Sequence, residues 1–278
     1  MKLAVVVVAY HAQPDAVLEN IKTYGDYADP LILWDNTERC DNDWSSLRKV
    51  YPEVIVCQYG ENIGLASAYN AAAKLASQRG CTHLMTMDQD SAFVNVDEYI
   101  KQIPPPNSVY GIIGVSVNRS DYQSLNQHIT GHTCQSGSTF SLLMLDAIGG
   151  FRDDFFIGMV DAEICLRASG RGYLAMEAGR CTIRHHIGSG RSVSILGLST
   201  HVSDYNALRH YYDTRNRIIM WHEFPDDCGW RFKTKFFANR LKVIAKILLF
   251  EDDKRSKVLA ILRGLYHGAM NQPVPYKR

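Results

Sequence analysis

Short, continuously apolar segments rich in β-branched residues alternate with longer helix-like segments through the first half of the chain. Five such segments are strand candidates: residues 3–9, 30–34, 53–58, 82–87 and 109–117. Between them, two helices are predicted: residues 14–27, which begin with a proline that suits a helix start, and residues 65–80, which are alanine-rich and end in glycine. Apolar strands that alternate with helices are typical of a mostly parallel sheet covered on both faces. The pattern therefore predicts an α/β domain with a Rossmann-like sheet and flanking helices.

Polar residues follow three of these predicted strands. Tyr10 follows the first strand, Asp35 the second, and Asp88 and Asp90 the fourth. Ligands bind at the carboxyl ends of the strands in such sheets, so we expect these side chains to share one rim.

Composition narrows the classes of function. The 278 residues are 46% hydrophobic and 21% charged, which is typical of a globular protein with a sizeable core. A net charge of +1 gives no signature of nucleic-acid binding, so we predict no nucleic-acid partner. The seven cysteines are an odd number without CxxC pairs, which favours reduced thiols and a cytoplasmic location. No apolar run reaches about 18 residues, and we predict no transmembrane helix.

The second half changes character. Residues 133–151 are consistent with a short strand, a turn and a helix, and residues 188–194 with a glycine- and serine-rich loop. Helices are expected to dominate from about residue 203 to 271. A further helix is predicted at residues 160–173, and four of its residues share one face: Ala162, Cys165, Leu166 and Ser169.

Several motifs occur in an order that resembles family 2 glycosyltransferases, which have the GT-A fold. They are "VVVVAYH" at the start, "LWDN" at 33–36, "ENIGLASAYNAA" at 61–72, "MDQDS" at 87–91, "QSGSTF" at 135–140, "FFIGMVDAEICLRASGRGY" at 155–173 and "RHHIGSG" at 184–190. "HYYDTRN" at 210–216 is similar to the YYxxRN signature of bacterial rhamnosyltransferases in that family. The resemblance covers roughly residues 3–217.

The resemblance implies an inverting, metal-dependent transferase of O-antigen or related cell-surface polysaccharide synthesis. Its donor would be dTDP-rhamnose, and its acceptor a glycan linked to polyprenyl diphosphate. A UDP-hexose donor is the alternative within the family, and a non-catalytic nucleotide-sugar-binding protein is the alternative outside enzymes. The expected catalytic domain is residues 1–217, with a nucleotide half to about 117 and an acceptor half from 118. Residues 218–278 form a helical extension.

Glycosyl transfer must stabilise a departing diphosphate, and carboxylates hold Mn²⁺ or Mg²⁺ for that purpose. The resemblance implies that Asp90 is a direct metal ligand and that Asp88 faces the ribose or a bridging water. It implies His185 as a third ligand, with His186 as the alternative. A structural strand-to-loop exit for the acidic pair and an exposed histidine pair before a glycine turn are the competing interpretations.

Further donor contacts follow from the same resemblance. Asp35 would accept the imide N–H of the base, which Tyr10 would line, although an Asx turn also explains Asp35. Asn62 would lie where a helix N-terminus approaches phosphate, or would simply cap that helix. Arg191 would belong to a closing loop and Arg215 would bind diphosphate, and surface ion pairs are the alternative for both.

The resemblance places a general base at Asp161, at the start of a helix. Many relatives carry Glu-Asp there, whereas this chain has Val160-Asp161. Acidic residues that complement the helix dipole are the alternative. Glu163 would orient the acceptor or a neighbouring arginine, and Gln135 and Gly137 would contact the donor sugar or the acceptor.

Residues 231–250 contain six basic residues and no acidic residue. A helical projection gives one broad apolar face of Phe232, Phe236, Val243, Ile244, Ile247 and Leu248. A basic amphipathic helix can lie on an anionic membrane, which would place the chain at the cytoplasmic face of the inner membrane. Packing on the catalytic domain or against the same helix of a homodimer partner is the alternative.

Overall fold

A computed structural model of the chain describes residues 1–185, 191–195 and 198–276, with the side chains of 191–195 and 198–201 left out. The strands in these ranges are β1 Leu3–Ala9, β2 Leu31–Asp35, β3 Ile55–Gln58, β4 His83–Asp88, β5 Ser91–Val94, β6 Tyr110–Val117, β7 His128–Thr130, β8 Ser138–Ser141, β9 Leu174–His185, β10 Arg191–Ile195 and β11 Leu198–Val202. The α-helices are α1 Pro14–Ile21, α2 Ser45–Val50, α3 Leu65–Gln78, α4 Val96–Ile100, α5 Leu142–Ile148, α6 Val160–Ser169, α7 Ala207–Glu223, α8 Trp230–Phe250 and α9 Lys254–Ala269.

Within the described residues, nine strands form one sheet in the order β3-β2-β1-β4-β8-β6-β9-β5, with β7 paired to β9. Strands β3, β2, β1 and β4 run parallel to one another, and β6 runs parallel to β9. β8 is antiparallel to both β4 and β6, and β5 is antiparallel to β9. The five predicted strands are present and begin within two residues of the expected positions.

The register brings the polar strand ends together as expected. Val8 of β1 lies opposite both Trp34 of β2 and Asp88 of β4, and Ala9 lies opposite Asp35. The ends of β1, β2 and β4 therefore reach the same level, and the predicted rim is confirmed. Every residue of β1 and β2 is buried, which explains why these segments are apolar without alternation.

Helix α3 packs on the parallel part of the sheet. Its buried face is mostly alanine, from Ala66 through Ala72 to Ala76, with Tyr69 also fully buried. Small side chains allow the helix to lie close to β1 and β4.

One local prediction is confirmed and another is wrong. The four residues expected on one face of α6 do share a face, of which only Cys165 is buried; the buried side also includes Glu163, whose charge is compensated by Arg167. The expected loop at 188–194 is only partly described, and the backbone of 191–195 is a strand that pairs antiparallel with β11.

The chain forms two compact units. The first comprises Met1–Phe156 and Val160–His186, and the second comprises Ile157–Met159 and Ile187–Arg278. The contacts therefore divide the chain near residue 187, whereas the functional division at 217 stays a prediction. All seven cysteines are free thiols. No helix in the described ranges is both long enough and apolar enough to cross a bilayer.

Candidate active site

An acidic turn and a histidine meet at the end of the sheet. β4 ends at Asp88, β5 begins at Ser91, and Asp90 lies in the turn between them. Because β5 pairs antiparallel with β9, Ser91 lies opposite His185. One ligand atom each from Asp88, Asp90 and His185 lie within 4.8 Å of one another. The predicted trio is thus assembled by strand pairing across more than 90 residues of chain.

Two serines hold this cluster in place. The hydroxyl of Ser91 lies 2.7 Å from Nδ1 of His185, which is also 3.1 Å from Oδ1 of Asp90. The Ser136 hydroxyl donates to Ser91 Oγ at 2.8 Å and accepts from the backbone N–H of Asp88 at 3.0 Å. Both serines are buried, so neutral hydroxyl groups on the protein side hold the turn that carries Asp88 and Asp90.

The donor set fits a divalent cation. Two carboxylates and an imidazole suit Mn²⁺ and Mg²⁺. Ligands around an ion with bonds of about 2.1 Å lie within about 4.2 Å of one another. The three ligand atoms here lie within 4.8 Å of one another, so shifts of several tenths of an ångström would bring them to the distances found around a bound ion. A role as metal ligands stays a prediction for Asp90 and His185, and His186 lies outside the described residues.

Gln89 ties the acidic turn to β1. Its side-chain oxygen accepts from the backbone N–H of Tyr10 at 2.6 Å, and its carbonyl accepts from Asn20 Nδ2 at 2.9 Å. The Tyr10 side chain is partly exposed at this rim, with its hydroxyl 3.4 Å from Glu38. The role of Tyr10 in base binding stays a prediction.

Asp35 is buried beneath the rim, and its oxygens accept several hydrogen bonds. Oδ2 accepts from Trp44 Nε1 and Asn42 Nδ2, each at 2.9 Å, and from Gln58 at 3.3 Å. Oδ1 accepts from the Thr37 N–H at 2.9 Å, which is the Asx-type turn considered above. In this arrangement Asp35 organises the loop, and its contact with a nucleotide base stays a prediction.

The loop before α3 is shaped by Asn62 and Gly64. Asn62 Oδ1 accepts from the Gly64 N–H at 3.0 Å, while Gly64 O accepts from Asn36 at 3.2 Å. Leu65, the first residue of α3, donates its N–H to Phe156 O at 2.6 Å. Asn62 therefore organises the approach to the helix, and its contact with phosphate stays a prediction.

Asp161 lies in the first turn of α6, as expected, and has a histidine beside it. Its Oδ2 is 3.4 Å from Nε2 of His132, and its Oδ1 accepts from the Ala162 N–H at 2.9 Å. Both side chains of the pair are partly exposed, so the carboxylate is accessible to a reactant. The hydrogen bond to Asp161 raises the pKa of His132.

Glu163 does not share this exposure. It is buried and forms a bidentate ion pair with Arg167, at 2.6 and 2.8 Å. Arg167 also donates to the carbonyl oxygens of Ile148 and Gly150. This geometry corresponds to the neighbouring-arginine role considered for Glu163, and contact with an acceptor stays a prediction.

Gln135 and Gly137 form the segment under the metal cluster. Gln135 is buried, with Nε2 donating to Thr86 at 3.0 Å, and its Oε1 has no hydrogen-bond partner among the described residues. Gly137 has φ +78° and donates to Thr86 O at 2.9 Å, and a Cβ there would lie 2.5 Å from Val115. Both are placed beside the cluster, and their contacts with a sugar stay predictions.

Two buried groups lie within electrostatic reach of both halves of the candidate site. Burial raises the pKa of the Cys134 thiol to about 11, and the charges of Asp88 and Asp161 add to that shift. Burial raises the pKa of Tyr69 well above its usual value, and the charges of Asp88 and Asp161 act in the same direction. Independently of these shifts, the segment 132–136 contacts Asp161 through His132 and the Asp88 backbone through Ser136, so it joins the acidic cluster to the predicted base.

Arg215 belongs to the second unit. It is fully buried in α7, donates to Asn216 Oδ1 and to the carbonyl of Val274, and stacks near Tyr211 and Tyr212. Its contact with diphosphate stays a prediction. Only the backbone of Arg191 is described, so its predicted role at a lid falls outside the described side chains.

Three polar residues of this site were not predicted from the sequence: Gln89, Ser91 and His132. Gln89 and Ser91 lie inside the quoted motif "MDQDS", so they could have been selected as supports. His132 lies outside every motif, and only the folded chain brings it to Asp161.

Comparisons with known proteins agree with this architecture. The sequence is 25% identical to dTDP-rhamnosyl transferase RfbF of Shigella flexneri, and the match covers 60% of this chain and 62% of the relative. The chain therefore spans less than two thirds of the curated relative that it matches. No protein-family profile matches the sequence.

Solved structures give the fold. The chain superposes on TarS residues 1–349 of S. aureus with TM-score 0.60 and 11% identity, covering 96% of this chain and 81% of that one. It superposes on GalNAc-T7, solved with UDP, GalNAc and Mn²⁺, with TM-score 0.59 and 13% identity. That match covers 100% of this chain and 59% of the other. A TarS structure in complex with UDP-GlcNAc superposes with TM-score 0.59 and 12% identity, and the match covers 98% of this chain and 88% of that one. The GT-A fold is confirmed, as is the resemblance to GT-A glycosyltransferases and, in sequence, to a rhamnosyltransferase.

Proposed function

We propose that this chain is an inverting glycosyltransferase that uses a nucleotide-sugar donor. The observation that carries the proposal is the placement of Asp88, Asp90 and His185 at one end of a GT-A sheet, joined to the accessible carboxylate of Asp161 by the segment 132–136, which contacts both Asp88 and Asp161. A donor diphosphate and an acceptor hydroxyl need these two kinds of group close together.

Asp161 is the proposed general base. Its carboxylate takes the proton of the acceptor hydroxyl while that oxygen forms a bond to the anomeric carbon. The bond from that carbon to the donor diphosphate breaks, and the nucleoside diphosphate leaves with the electron pair. Asp90 and His185, with Asp88 nearby, would hold Mn²⁺ or Mg²⁺, which supplies positive charge to the phosphate oxygens.

The proposed donor is dTDP-rhamnose. The sequence match to a dTDP-rhamnosyl transferase supports this choice, as does the "YYDTRN" motif at 211–216. A UDP-hexose is the second candidate, because structural neighbours were solved with UDP or UDP-GlcNAc. The proposed acceptor is a glycan linked to polyprenyl diphosphate, used at the cytoplasmic face of the inner membrane in cell-surface polysaccharide synthesis.

Calorimetry tests the donor site. We expect dTDP to bind more tightly than UDP in the presence of Mn²⁺ or Mg²⁺, and binding to weaken at least tenfold in EDTA or in Asp90→Asn. Tighter binding of UDP would move the donor to a UDP-hexose. If a folded chain binds neither nucleotide, the proposed site is wrong.

A second measurement separates an enzyme from a binding protein. Asp161→Asn should keep metal-dependent nucleotide binding but lower the transfer rate by about 10²–10⁴-fold. Glu163→Gln is unsuitable as a matched control because it would leave Arg167 buried without its charge partner. Asp146→Asn, at an exposed acidic residue of α5, is the matched control and should retain full activity. Equal transfer rates in wild type and Asp161→Asn would contradict the assigned base.

A further inference from the structure

Helix α8 exposes a narrow apolar stripe along its whole length. Five large apolar side chains of α8 are strongly exposed, and one of them, Leu249 at 66%, lies about 100° around the helix from the others. The stripe consists of the remaining four: Trp230 73%, Phe237 50%, Leu241 70% and Leu248 52%. Their spacings of seven, four and seven residues keep them within a narrow sector of the helix. The stripe extends about 27 Å along the axis at 1.5 Å per residue.

Most of this stripe lies off the face that packs on the rest of the second unit. The half-exposed Phe237 is at its border, with its ring 5.6 Å from that of Trp221 in α7. The buried residues of α8 are Phe236, Arg240 and Ile247. The Phe236 ring lies 5.0 Å from that of Trp221 in α7, and Arg240 pairs with Asp213 of α7 at 2.9 Å. The broad apolar face expected from the sequence is therefore divided. Phe236 and Ile247 face the protein, whereas Leu248 belongs to the stripe.

The charges carried by the helix itself have one sign. Arg231, Lys235 and Lys242 are exposed on one flank of the helix, and residues 230–250 contain no acidic residue. A second copy of α8 packed on the stripe would bring cationic flanks close to each other, which disfavours pairing. An anionic lipid surface complements both features, since it accepts apolar side chains between its headgroups and attracts the cations.

We infer that the α8 stripe is a docking surface for an anionic membrane, on which the helix lies in the plane of the interface. The inference is independent of the proposed reaction, because it rests only on α8.

Trp230 provides a built-in probe. The other three tryptophans, Trp34, Trp44 and Trp221, are buried, so a change of environment at the stripe is reported mainly by Trp230. The full chain is titrated with vesicles of equal parts phosphatidylcholine and phosphatidylglycerol, and with vesicles of phosphatidylcholine alone. We expect a blue shift and protection from iodide quenching with the anionic vesicles, and loss of both changes in Trp230→Phe.

Sedimentation with the same vesicles measures binding. Leu241→Ser, at a strongly exposed position, should lower the partition coefficient about tenfold without affecting folding. Leu143→Ser, at an exposed leucine of α5, is the matched control and should bind as wild type. Lys235→Gln with Lys242→Gln should weaken binding and reduce its salt dependence, whereas Arg48→Gln with Lys49→Gln on α2 should not.

Three outcomes would overturn the inference. One is the absence of binding to anionic vesicles, and another is equal binding of wild type to neutral and anionic vesicles. The third is a concentration-dependent dimer, seen by analytical ultracentrifugation, that Leu241→Ser converts to a monomer, since this would assign the stripe to a second copy. A failure of nucleotide binding would leave these results unaffected.

Discussion

At the scale of single residues, His132 is the least expected feature of the site. The segment that carries it packs along one face of α6, where Thr133 Oγ1 lies 3.8 Å from Sγ of Cys165 and His132 lies 3.4 Å from Asp161. Asp161 and Cys165 are four residues apart and so lie above one another on the helix. Two neighbouring contacts, Thr133 with Cys165 and His132 with Asp161, therefore fix the position of His132 beside Asp161.

This placement predicts a pH dependence of the proposed reaction. The hydrogen bond with Asp161 raises the pKa of His132, so its imidazolium persists to higher pH than in a free histidine. While it persists, it holds the Asp161 carboxylate in an ion pair and competes with the acceptor hydroxyl for that carboxylate. We expect kcat to rise with pH through this raised pKa, and His132→Gln to remove that part of the profile while changing kcat by up to about tenfold at neutral pH.

The check is a pH profile of kcat for the wild type, His132→Gln and His128→Gln. His128 is exposed on β7 and contacts Asn126 O, which makes it the matched control. A wild-type profile in His132→Gln would contradict the coupling, even if Asp161 is essential.

Some residues of the candidate site could be predicted from the sequence and others could not, and the reason is physical. Asp88, Asp90 and Asp161 lie in short segments whose residue types already suggest a metal or a base. The support given by Ser136 and the placement of His132 depend on strand pairing and helix packing, at sequence separations of 48 and 29 residues from Asp88 and Asp161. Contacts at such separations leave no local pattern in the sequence.

At the scale of elements, Gly64 shows how a turn and a helix start depend on one residue. It has φ +85°, and a Cβ there would lie 2.6 Å from the Phe156 ring. Gly172 after α6 has nearly the same φ, +83°, but a Cβ there would meet no atom within 4 Å. The two glycines therefore differ in packing while they share backbone geometry.

We expect Gly172→Ala to destabilise the fold by about 1–2 kcal/mol through the left-handed backbone alone. Gly64→Ala should cost about 1–3 kcal/mol more, because the new methyl group also displaces Phe156. Urea denaturation of both variants measures the difference. Equal destabilisation would mean that Phe156 moves aside at no cost. Gly64→Ala should also weaken nucleotide binding if Asn62 contacts phosphate as predicted.

Element prediction succeeded where one pattern dominated. The parallel strands β1, β2 and β4 are apolar throughout because both faces are covered, and the alanine-rich α3 is equally clear. What the patterns of α6 and α8 did not predict is that a charged residue is buried in each helix. Glu163 and Arg240 are compensated by Arg167 and Asp213, and a helical projection counts them as solvent-facing.

At the scale of the whole molecule, the second unit contains a buried ionisable cluster of its own. His210 of α7 is buried, and its Nε2 has no hydrogen-bond partner among the described residues. Burial lowers the pKa of His210 to about 4, and Arg240, Lys257 and Arg209 act in the same direction, whereas Asp213 opposes them. The histidine is therefore neutral in the folded chain at neutral pH.

The second unit should therefore begin to lose stability as the pH falls below about 6.5, before its carboxylates are protonated. In the unfolded chain His210 takes up its proton near pH 6.5, but in the folded chain only near pH 4, so stability is lost as pH falls between these values. The expected loss from this group is about 2 kcal/mol between pH 7 and pH 5. Urea denaturation followed by helical circular dichroism should show this loss in wild type and in His222→Gln, an exposed histidine of the same helix. His210→Leu, which keeps the site filled and removes the titrating group, should lose only what other groups contribute. An unchanged pH slope in His210→Leu would mean that the buried imidazole does not control the acid sensitivity of this unit.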